Sequence, residues 1–345
     1  MRFLYISTGR NFPPDKHLVD GLRENAHEVL ELIENGHGFG RYVRFARCFP
    51  QATRAADAVI VGYGLPLLVP IARCLTQRTV IFNAIASQYE ANVISRGDRG
   101  LFAVCKWMLI DFFSFHAALF VLLESEAQVA YVASRFFVPK KKLVVARMGV
   151  DESVFFRDGQ IKKRKAFTVL FRGRFLPESG ILTVIAAAKR LENTGIRFLI
   201  IGHGFLYREV NALVDKLAPT NIEFVEKTLP EWELREAMLS CHISLGQLAD
   251  HPRLARTLPA KLYESLALGL PYLTGRSAAV FELLTEDTTC FVVQPGDATA
   301  LADKIRSLER EPKHLREVGE AGYRLFTERL VARRLAADFV ATCFG

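Results

Sequence analysis

The 345-residue sequence lacks several patterns that would assign it to a common class of protein. Its six cysteines have neither paired spacing nor neighbouring histidines, which argues against a disulfide framework or a zinc site and favours a reducing compartment. No two aspartates stand in D-x-D spacing, so no metal site is expected. The first strand–helix turn, STGRNFPP at 7–14, lacks G-x-G-x-x-G, which argues against a nicotinamide dehydrogenase.

An uninterrupted apolar run and a targeting signal are also missing. The most apolar stretch, 101–123, contains Lys106, Asp111 and His116, each of them costly in hydrocarbon. We therefore predict a buried helix over 102–115, followed by a strand, instead of a membrane span. The chain opens directly on a strand pattern without a signal-peptide cleavage region, so a cytoplasmic protein is expected.

The formal charge of +8 is compatible with an anionic partner, but it can also be a property of the solvated surface alone. A basic excess suits nucleic acid, an anionic membrane surface or phosphorylated substrates. No zinc-finger, RNA-binding or helix-turn-helix pattern supports nucleic acid, so we expect no nucleic-acid partner. Half of the excess comes from the run 162–165, KKRK, which is more typical of a solvated linker than of a binding patch.

What is present is a regular alternation of short apolar strands with helical patterns, which predicts two doubly wound α/β domains with parallel sheets. The strands predicted in the first half are 2–7, 58–61, 79–82, 119–123 and 143–146. Those predicted in the second half are 168–171, 197–201, 222–224, 243–245, 272–273 and 290–293. The polar stretch 151–165 separates the two halves. Ligands of such sheets bind at the carboxyl ends of the strands, so a cleft between the two domains is expected.

The segment FRGRFLPESG at 171–180 carries the first candidate site. A buried strand ends at Phe171, a glycine turn follows, and a helix begins near Gly180. This arrangement would bring backbone N–H groups and Arg174 to a diphosphate at the end of the strand. The alternative is an ordinary turn glycine beside a surface arginine.

The segment RTLPAKLYESLALGLPYLT at 256–274 carries the second candidate site. Pro259 is typical of the first residue of a helix, and Gly269 of the residue just past its end. A carboxylate on this helix, Glu264, could accept two hydrogen bonds from the vicinal hydroxyls of a ribose. The alternative is an exposed helix glutamate, which composition alone makes the commoner case.

These two segments, together with IIGHGF at 200–205 and VVQPGDATALADKI at 292–305, resemble the C-terminal domain of the retaining glycosyltransferases of family four. The resemblance covers residues 148–308. It implies a GT-B fold, with an acceptor-side Rossmann-like domain over 1–155, a donor-binding one over 165–328, and a last helix in 329–345 that crosses back to the first domain. It further implies transfer of a sugar from a UDP- or GDP-linked donor to a carbohydrate or lipid-linked acceptor, with retention of configuration and no required cofactor or metal.

The resemblance also implies roles for particular residues. Arg174 matches the arginine that neutralises the donor diphosphate, and Glu264 matches the glutamate that holds the ribose. Lys261 matches a lysine that could also reach phosphate, so Arg174 and Lys261 are the candidate catalytic residues. The remaining donor-site candidates are Gly173, Gly202, His203, Gly204 and Arg256.

Three positions depart from the family pattern. Ser179 replaces a second phosphate-binding lysine, Arg256 replaces a sugar-contacting glutamate, and Asn83 ends a strand where relatives tend to have aspartate. Lys261, Arg256 or Arg172 could supply the missing positive charge. The alternative is a catalytically weak or inactive GT-B subunit that supports a partner enzyme.

The first domain carries fewer candidates. Gly9 and Arg10 follow the first strand, and the resemblance of AIASQYEANVISR at 84–96 to some family members adds Ser87 beside Asn83 as candidates for the acceptor side of the cleft. A basic, Phe-rich first domain is compatible with a lipid-linked acceptor and with peripheral contact to an anionic membrane.

Overall fold

The computed structural model describes residues 1–9, 13–36, 38 and 40–345. The chain forms two compact units, one made of Met1–Asp151 with Leu330–Gly345 and the other of Glu152–Arg329. Each unit contains one six-stranded sheet whose strands are all parallel. The predicted α/β class with two parallel sheets is therefore confirmed.

The first unit begins with six strands and five helices. Its strands are β1 (Arg2–Ser7), β2 (Glu28–Ile33), β3 (Ala58–Val61), β4 (Thr79–Ile85), β5 (Phe120–Leu123) and β6 (Leu143–Val145). Its helices are α1 (Pro13–Glu24), α2 (Gly40–Ala52), α3 (Leu68–Leu75), α4 (Leu101–Ala117) and α5 (Glu126–Phe136). The strand order is β2-β1-β3-β4-β5-β6.

Alternation along the strands of the first sheet explains why helices cover both of its faces. In β1, Phe3 and Tyr5 belong to one hydrophobic cluster, whereas Leu4 and Ile6 belong to another. Successive side chains of a strand point to opposite faces, so a strand that is apolar throughout must be buried on both sides. The second unit follows the same principle.

The second unit contributes six more strands and seven more helices. Its strands are β7 (Thr168–Arg172), β8 (Arg197–Ile201), β9 (Ile222–Val225), β10 (Ile243–Leu245), β11 (Tyr272–Gly275) and β12 (Phe291–Val293). Its helices are α6 (Ile181–Arg190), α7 (Tyr207–Leu217), α8 (Glu231–Ser240), α9 (Ala260–Ala267), α10 (Ala278–Phe281), α11 (Ala298–Arg310) and α12 (Pro312–Arg329). In the strand order β12-β11-β10-β7-β8-β9, the strands β8 and β9 follow on one side of β7 and the strands β10 to β12 on the other. The order in which strands are added therefore reverses between β7 and β10. Doubly wound sheets bind ligands at such a reversal.

The chain then returns to the first unit with α13 (Ala332–Phe344), which packs on α1. A Cβ on Gly21 of α1 would lie 2.1 Å from the carbonyl oxygen of Ala332, so the two helices meet through a glycine. Ala336 and Phe339 of α13 join the same hydrophobic cluster as Phe3. The last helix therefore completes the core of the first unit.

Three details of the sequence prediction are wrong. The strand β2 was not predicted, because its exposed Glu28 and Glu31 mask the apolar pattern of an edge strand. Asn83 does not end its strand, since β4 continues to Ile85. Pro259 precedes α9 in extended conformation and is not its first residue.

The predicted burial of the helix over 102–115 is also wrong. Asp111, Ser114 and Phe115 are buried, but most of the outer side of α4 is exposed. Across the described residues, no helix combines the length and apolar character needed to cross a bilayer.

Candidate functional site

The carboxyl ends of β7 and β10 lie side by side at the reversal point of the second sheet. Phe171 of β7 pairs with Leu245 of β10, so the residues that follow these two strands meet at one edge. Arg172 ends β7 and is followed by Gly173, whose φ of +124° favours glycine. Gly246 follows β10. At Gly173 and Gly246, therefore, the backbone that lines this edge carries no side chain.

Two glycines after β8 allow the neighbouring loop to pack directly on this edge. A Cβ on Gly202 would lie 2.0 Å from the carbonyl oxygen of Gly173, and one on Gly204 would lie 2.9 Å from the backbone nitrogen of Phe175. That nitrogen donates a hydrogen bond of 3.0 Å to the carbonyl of His203. The predicted glycines therefore have an immediate packing reason.

Lys261 projects from the first turn of α9 into the same edge. Its Nζ donates a hydrogen bond of 3.3 Å to the carbonyl of Gly246 and lies 4.4 Å from the ring centroid of Phe171. A Cβ on Gly173 would lie 3.9 Å from this nitrogen. Lys261 is thus placed beside the loop that follows β7, as a ligand for an anion there would require.

Burial makes this amine unusually acidic. Removal from water, together with the positive charge of the nearby Arg172, lowers the pKa of Lys261 to about 7, and Glu178 opposes this shift. Because no carboxylate of the described residues forms an ion pair with Lys261, an incoming diphosphate would meet an amine that can take up a proton.

Glu264 lies one turn further along α9 and is buried, with 5% of its surface exposed. Its carboxylate forms an ion pair with the guanidinium of Arg172 at the end of β7. Burial lowers the pKa of Arg172 to about 10. Glu264 is therefore not the exposed helix glutamate of the alternative interpretation, and its partner comes from the strand that leads into the glycine turn.

Among the described residues, no other cation stands at the position where Ser179 replaces a lysine, and the Ser179 side chain instead supports the local backbone. It is buried at the end of a short 3₁₀ turn, Pro177–Ser179, and its hydroxyl accepts from the backbone nitrogen of Ile181 at 3.4 Å. Its neighbour Glu178 forms a 2.6 Å ion pair with Arg253. The two buried cations that remain at this edge are Arg172 and Lys261.

The other predicted donor-site residues lie at the margin of this cluster. Arg174 is exposed, and its side chain forms no hydrogen bond or ion pair with the described part of the chain. His203 is exposed, with its Nε2 3.4 Å from the hydroxyl of Thr228. Arg256 is half-buried and follows a 3₁₀ turn, Pro252–Ala255.

A second polar cluster, in the first unit, surrounds a buried carboxyl that sequence reasoning missed. The Oδ1 atom of Asp15 accepts hydrogen bonds from the hydroxyl of Tyr5 at 2.6 Å and from the side chain of Asn83 at 3.2 Å. Burial raises the pKa of Asp15 to about 6. The only signal in the sequence is an acidic residue in the first turn of α1.

A cavity of about 210 Å³ opens beside this cluster and is lined by Gly9, Ser7 and Asp15. Gly9 and Asn83 therefore both lie near Asp15, although Asn83 does not line the cavity. The other residue predicted in this loop, Arg10, lies outside the described residues.

Ser87 lies in a different buried network. Its hydroxyl donates to Asp111 at 2.7 Å and accepts from the backbone nitrogen of Glu90 at 3.0 Å. Asp111 also accepts from the backbone nitrogens of Gln88 and Tyr89. Ser87 thus holds the turn after β4, and these contacts do not bring it to Asn83.

A large groove in the second unit does not coincide with the candidate site. A groove of about 990 Å³ is lined by Phe167, His242 and Pro271, which precede β7, β10 and β11. It therefore lies at the amino edge of the sheet, away from the glycine turns, whereas open α/β sheets bind ligands at the carboxyl edge. Among the described residues, no group of three or more His, Cys, Asp or Glu side chains could hold a metal ion.

Comparison with known families gives a match that covers most of the second unit, which contains this cluster. Residues 154–325 match the family described as glycosyl transferases group 1. The chain belongs to the group 1 glycosyl transferases. The match includes all four glycines of the carboxyl edge as well as Arg172, Lys261 and Glu264.

Individual relatives are distant and longer than the matched part. The chain is 24% identical to MMP alpha-(1->4)-mannosyltransferase of Mycolicibacterium hassiacum over 64% of this chain and 53% of that protein. It is 25% identical to amylovoran biosynthesis glycosyltransferase AmsK of Erwinia amylovora over 48% of this chain and 41% of that protein. The matches thus span about half the length, or less, of these curated relatives.

Solved structures share the fold over nearly the whole chain. HepE of Anabaena, crystallised with UDP and glucose, has a TM-score of 0.75 at 13% identity and covers 99% of both chains. Sucrose-phosphate synthase of Thermosynechococcus elongatus has a TM-score of 0.77 at 14% identity and covers 99% of this chain and 98% of its own. These structural similarities show that the chain has the GT-B fold.

Proposed function

We propose that this protein is a glycosyltransferase that moves a sugar from a nucleoside-diphosphate sugar to a hydroxyl group of a carbohydrate or lipid-linked acceptor, with retention of configuration. The observation that carries the proposal is the meeting of Lys261, Arg172 and Glu264 beside the Gly173 turn, at the reversal point of the second sheet. This edge combines buried cations, a carboxylate and open backbone, which are the groups that a diphosphate and a ribose require.

In this proposal the second unit binds the donor and the first unit binds the acceptor. Lys261 and Arg174 neutralise the diphosphate, the Gly173 turn lets the diphosphate approach the backbone because no side chain projects there, and Glu264 accepts from the ribose hydroxyls. Because the guanidinium of Arg172 already pairs with the carboxylate of Glu264, Arg172 must share or release that carboxylate when the ribose binds. His203 and Arg256, at the margin, would contact the sugar.

Charge stabilisation by these residues would replace a metal ion. As the bond between the sugar carbon and the diphosphate oxygen breaks, negative charge grows on the leaving group, and a fixed cation there lowers the barrier. The acceptor oxygen forms the new bond on the same face, and its proton passes to an oxygen of the departing diphosphate. Crystal structures of HepE hold UDP, UDP with glucose, or UDP-glucose, which supports a UDP-linked donor as the first to test.

Replacement of Arg174 tests the assignment. With a panel of UDP-, GDP- and dTDP-sugars, we expect slow donor hydrolysis in the absence of acceptor. Arg174→Ala should lower that rate by a factor on the order of 10²–10³ without changing the melting temperature, since the side chain is exposed. Arg190→Ala, at the far end of α6 and also exposed, is the matched control and should behave as the parent protein. Equal rates for both variants would remove Arg174 from the site.

A second candidate function is a sugar-nucleotide-binding subunit without turnover. The observation in its favour is Ser179, whose buried hydroxyl supports the backbone where relatives have a phosphate-binding lysine. Nucleotide binding without hydrolysis, unchanged in Glu264→Ala, would favour this function over the transferase.

A further inference from the structure

The outer side of α4 is apolar although it faces solvent. Its most exposed large side chains are Leu101, Phe102, Leu109, Phe112 and Phe113, with exposed fractions of 81, 83, 54, 38 and 55%. Their spacing places them on one stripe of the helix. A helix on the surface of a globular domain normally turns polar residues outward, so this stripe is the reverse of what the fold alone requires.

Two polar residues of α4, Asp111 and Ser114, lie on its inner side instead. Asp111 accepts three hydrogen bonds from the turn after β4, and Ser114 donates to the carbonyl of Pro66 at 2.8 Å. Both side chains are buried. The helix is therefore anchored to its unit through polar contacts and Phe115, which leaves the outer phenylalanines without a role in the core.

The stretch of sequence that contains this stripe is strongly basic. Residues 36–142 hold thirteen of the Lys and Arg residues but six Asp and Glu residues, so this stretch accounts for seven of the eight net positive charges. Three of the six acids, Glu90, Asp111 and Glu124, are buried. On or next to α4, Arg99 and Lys106 are exposed, and the Lys106 Nζ lies 4.4 Å from the ring centroid of Trp107.

We propose that α4 is a docking surface for an anionic lipid bilayer, on which the helix lies in the interface plane. The apolar stripe would enter the boundary between headgroups and acyl chains, while Arg99 and Lys106 would contact anionic headgroups. This combination fits a membrane surface better than a second copy of the chain, because two copies would bring the same basic face together and repel each other. The proposal goes beyond glycosyl transfer and does not depend on it.

Vesicle co-sedimentation of the full chain tests the proposal. We expect the protein to sediment with vesicles of phosphatidylcholine and phosphatidylglycerol, and to remain in the supernatant with phosphatidylcholine alone. Binding should weaken as salt is raised, because screening reduces the headgroup attraction. Failure to bind the mixed vesicles at low salt would overturn the proposal.

Two variants separate the apolar from the basic contribution. F102S/F113S should weaken binding to mixed vesicles by at least about tenfold, the loss expected when two phenylalanines no longer enter the interface. R99S/K106S should weaken it by about fivefold for each charge removed. Both variants alter exposed side chains, so their melting temperatures should match the parent protein.

Trp232→Ser is the matched control, because Trp232 is an aromatic residue of the second unit with 59% of its surface exposed. It should bind vesicles as the parent protein does. Unchanged binding by F102S/F113S would refute the α4 surface. A concentration-dependent dimer that F102S/F113S dissociates would show a second copy of the chain to be the occupant, and would also refute the proposal.

Discussion

At the residue scale, the chemistry of the second unit depends on how buried charges compensate one another. Glu264 is balanced by Arg172, and Glu178 is balanced by Arg253. Lys261 is buried beside Arg172, and within the described part of the chain its amine contacts a backbone carbonyl and an aromatic face but forms no ion pair with a carboxylate. An anionic ligand would therefore balance the charge of Lys261.

This arrangement predicts proton uptake on nucleotide binding. The pKa of Lys261 is lowered to about 7 by the protein itself, and a bound diphosphate should raise it again. Binding is then fully favoured below pH 7 and weakens as the pH rises above 7, by up to about tenfold per pH unit, until the pKa of the complex is reached. Arg172 and Glu178 are the charged groups that act on this amine.

Calorimetric titration with UDP at pH 8, in buffers of different ionisation enthalpy, measures the uptake directly. We expect up to about one proton per UDP for the parent protein and none for Lys261→Gln. Lys163→Gln is the control, because burial also lowers the pKa of Lys163 but its amine contacts Cys241 at the amino edge of the sheet. Equal uptake by both variants would remove Lys261 from the diphosphate site.

At the scale of elements, the carboxyl edge of the second sheet is built by loops that touch through their backbones. The turn after β7 and the turn after β8 approach so closely that Gly202 has no room for a side chain. Its φ of +145° also disfavours other residues. The shape of the candidate site therefore depends on this contact between loops as much as on its charged side chains.

Gly202→Ala should destabilise the second unit and weaken UDP binding. The added Cβ would lie 2.0 Å from the Gly173 carbonyl oxygen, so the backbone must move, and we expect a loss of about 3 kcal/mol or more in unfolding free energy. Gly195→Ala is matched in having a positive φ, +82°, but a Cβ there meets nothing within 4 Å. It should cost about 1 kcal/mol and leave UDP binding unchanged. Similar losses for the two variants in denaturant titrations would contradict this account of the turn.

At the scale of the whole molecule, the chain passes from the first unit to the second and returns. The crossings fall at Asp151–Glu152 and Arg329–Leu330, and the returning helix α13 brings Ala336 and Phe339 into the core of the first unit. The first unit thus cannot complete its core until the last residues of the chain are present. The second unit is continuous in sequence.

Phe339→Ala should therefore destabilise the first unit selectively. Removal of this buried ring should cost about 3–5 kcal/mol, whereas Arg334→Ala on the exposed side of the same helix should change stability by about 0.5 kcal/mol or less. The two tryptophans report on the units separately, since Trp107 lies in the first and Trp232 in the second. In single-tryptophan backgrounds, Phe339→Ala should lower the unfolding midpoint seen by Trp107 and spare that seen by Trp232. Equal shifts of both midpoints would contradict the assignment of α13 to the first unit.

The sequence by itself determined the α/β class, eleven of the twelve strands, and the glycine turns and α9 segment that carry the candidate donor site. These features follow from local pattern: buried parallel strands are continuously apolar, and glycines mark positions where backbone must turn or approach. Only the tertiary structure decided which charges meet. The Arg172–Glu264 pair, the placement of Lys261 beside Gly173 and the burial of Asp15 each join residues from different elements.

The same distinction explains the misassigned parts of the fold. The edge strand β2 and the outward stripe of α4 were misjudged because periodicity shows which residues share a face, but not whether another element covers that face. Long-range packing sets that coverage, and with it the pKa of every buried group described above.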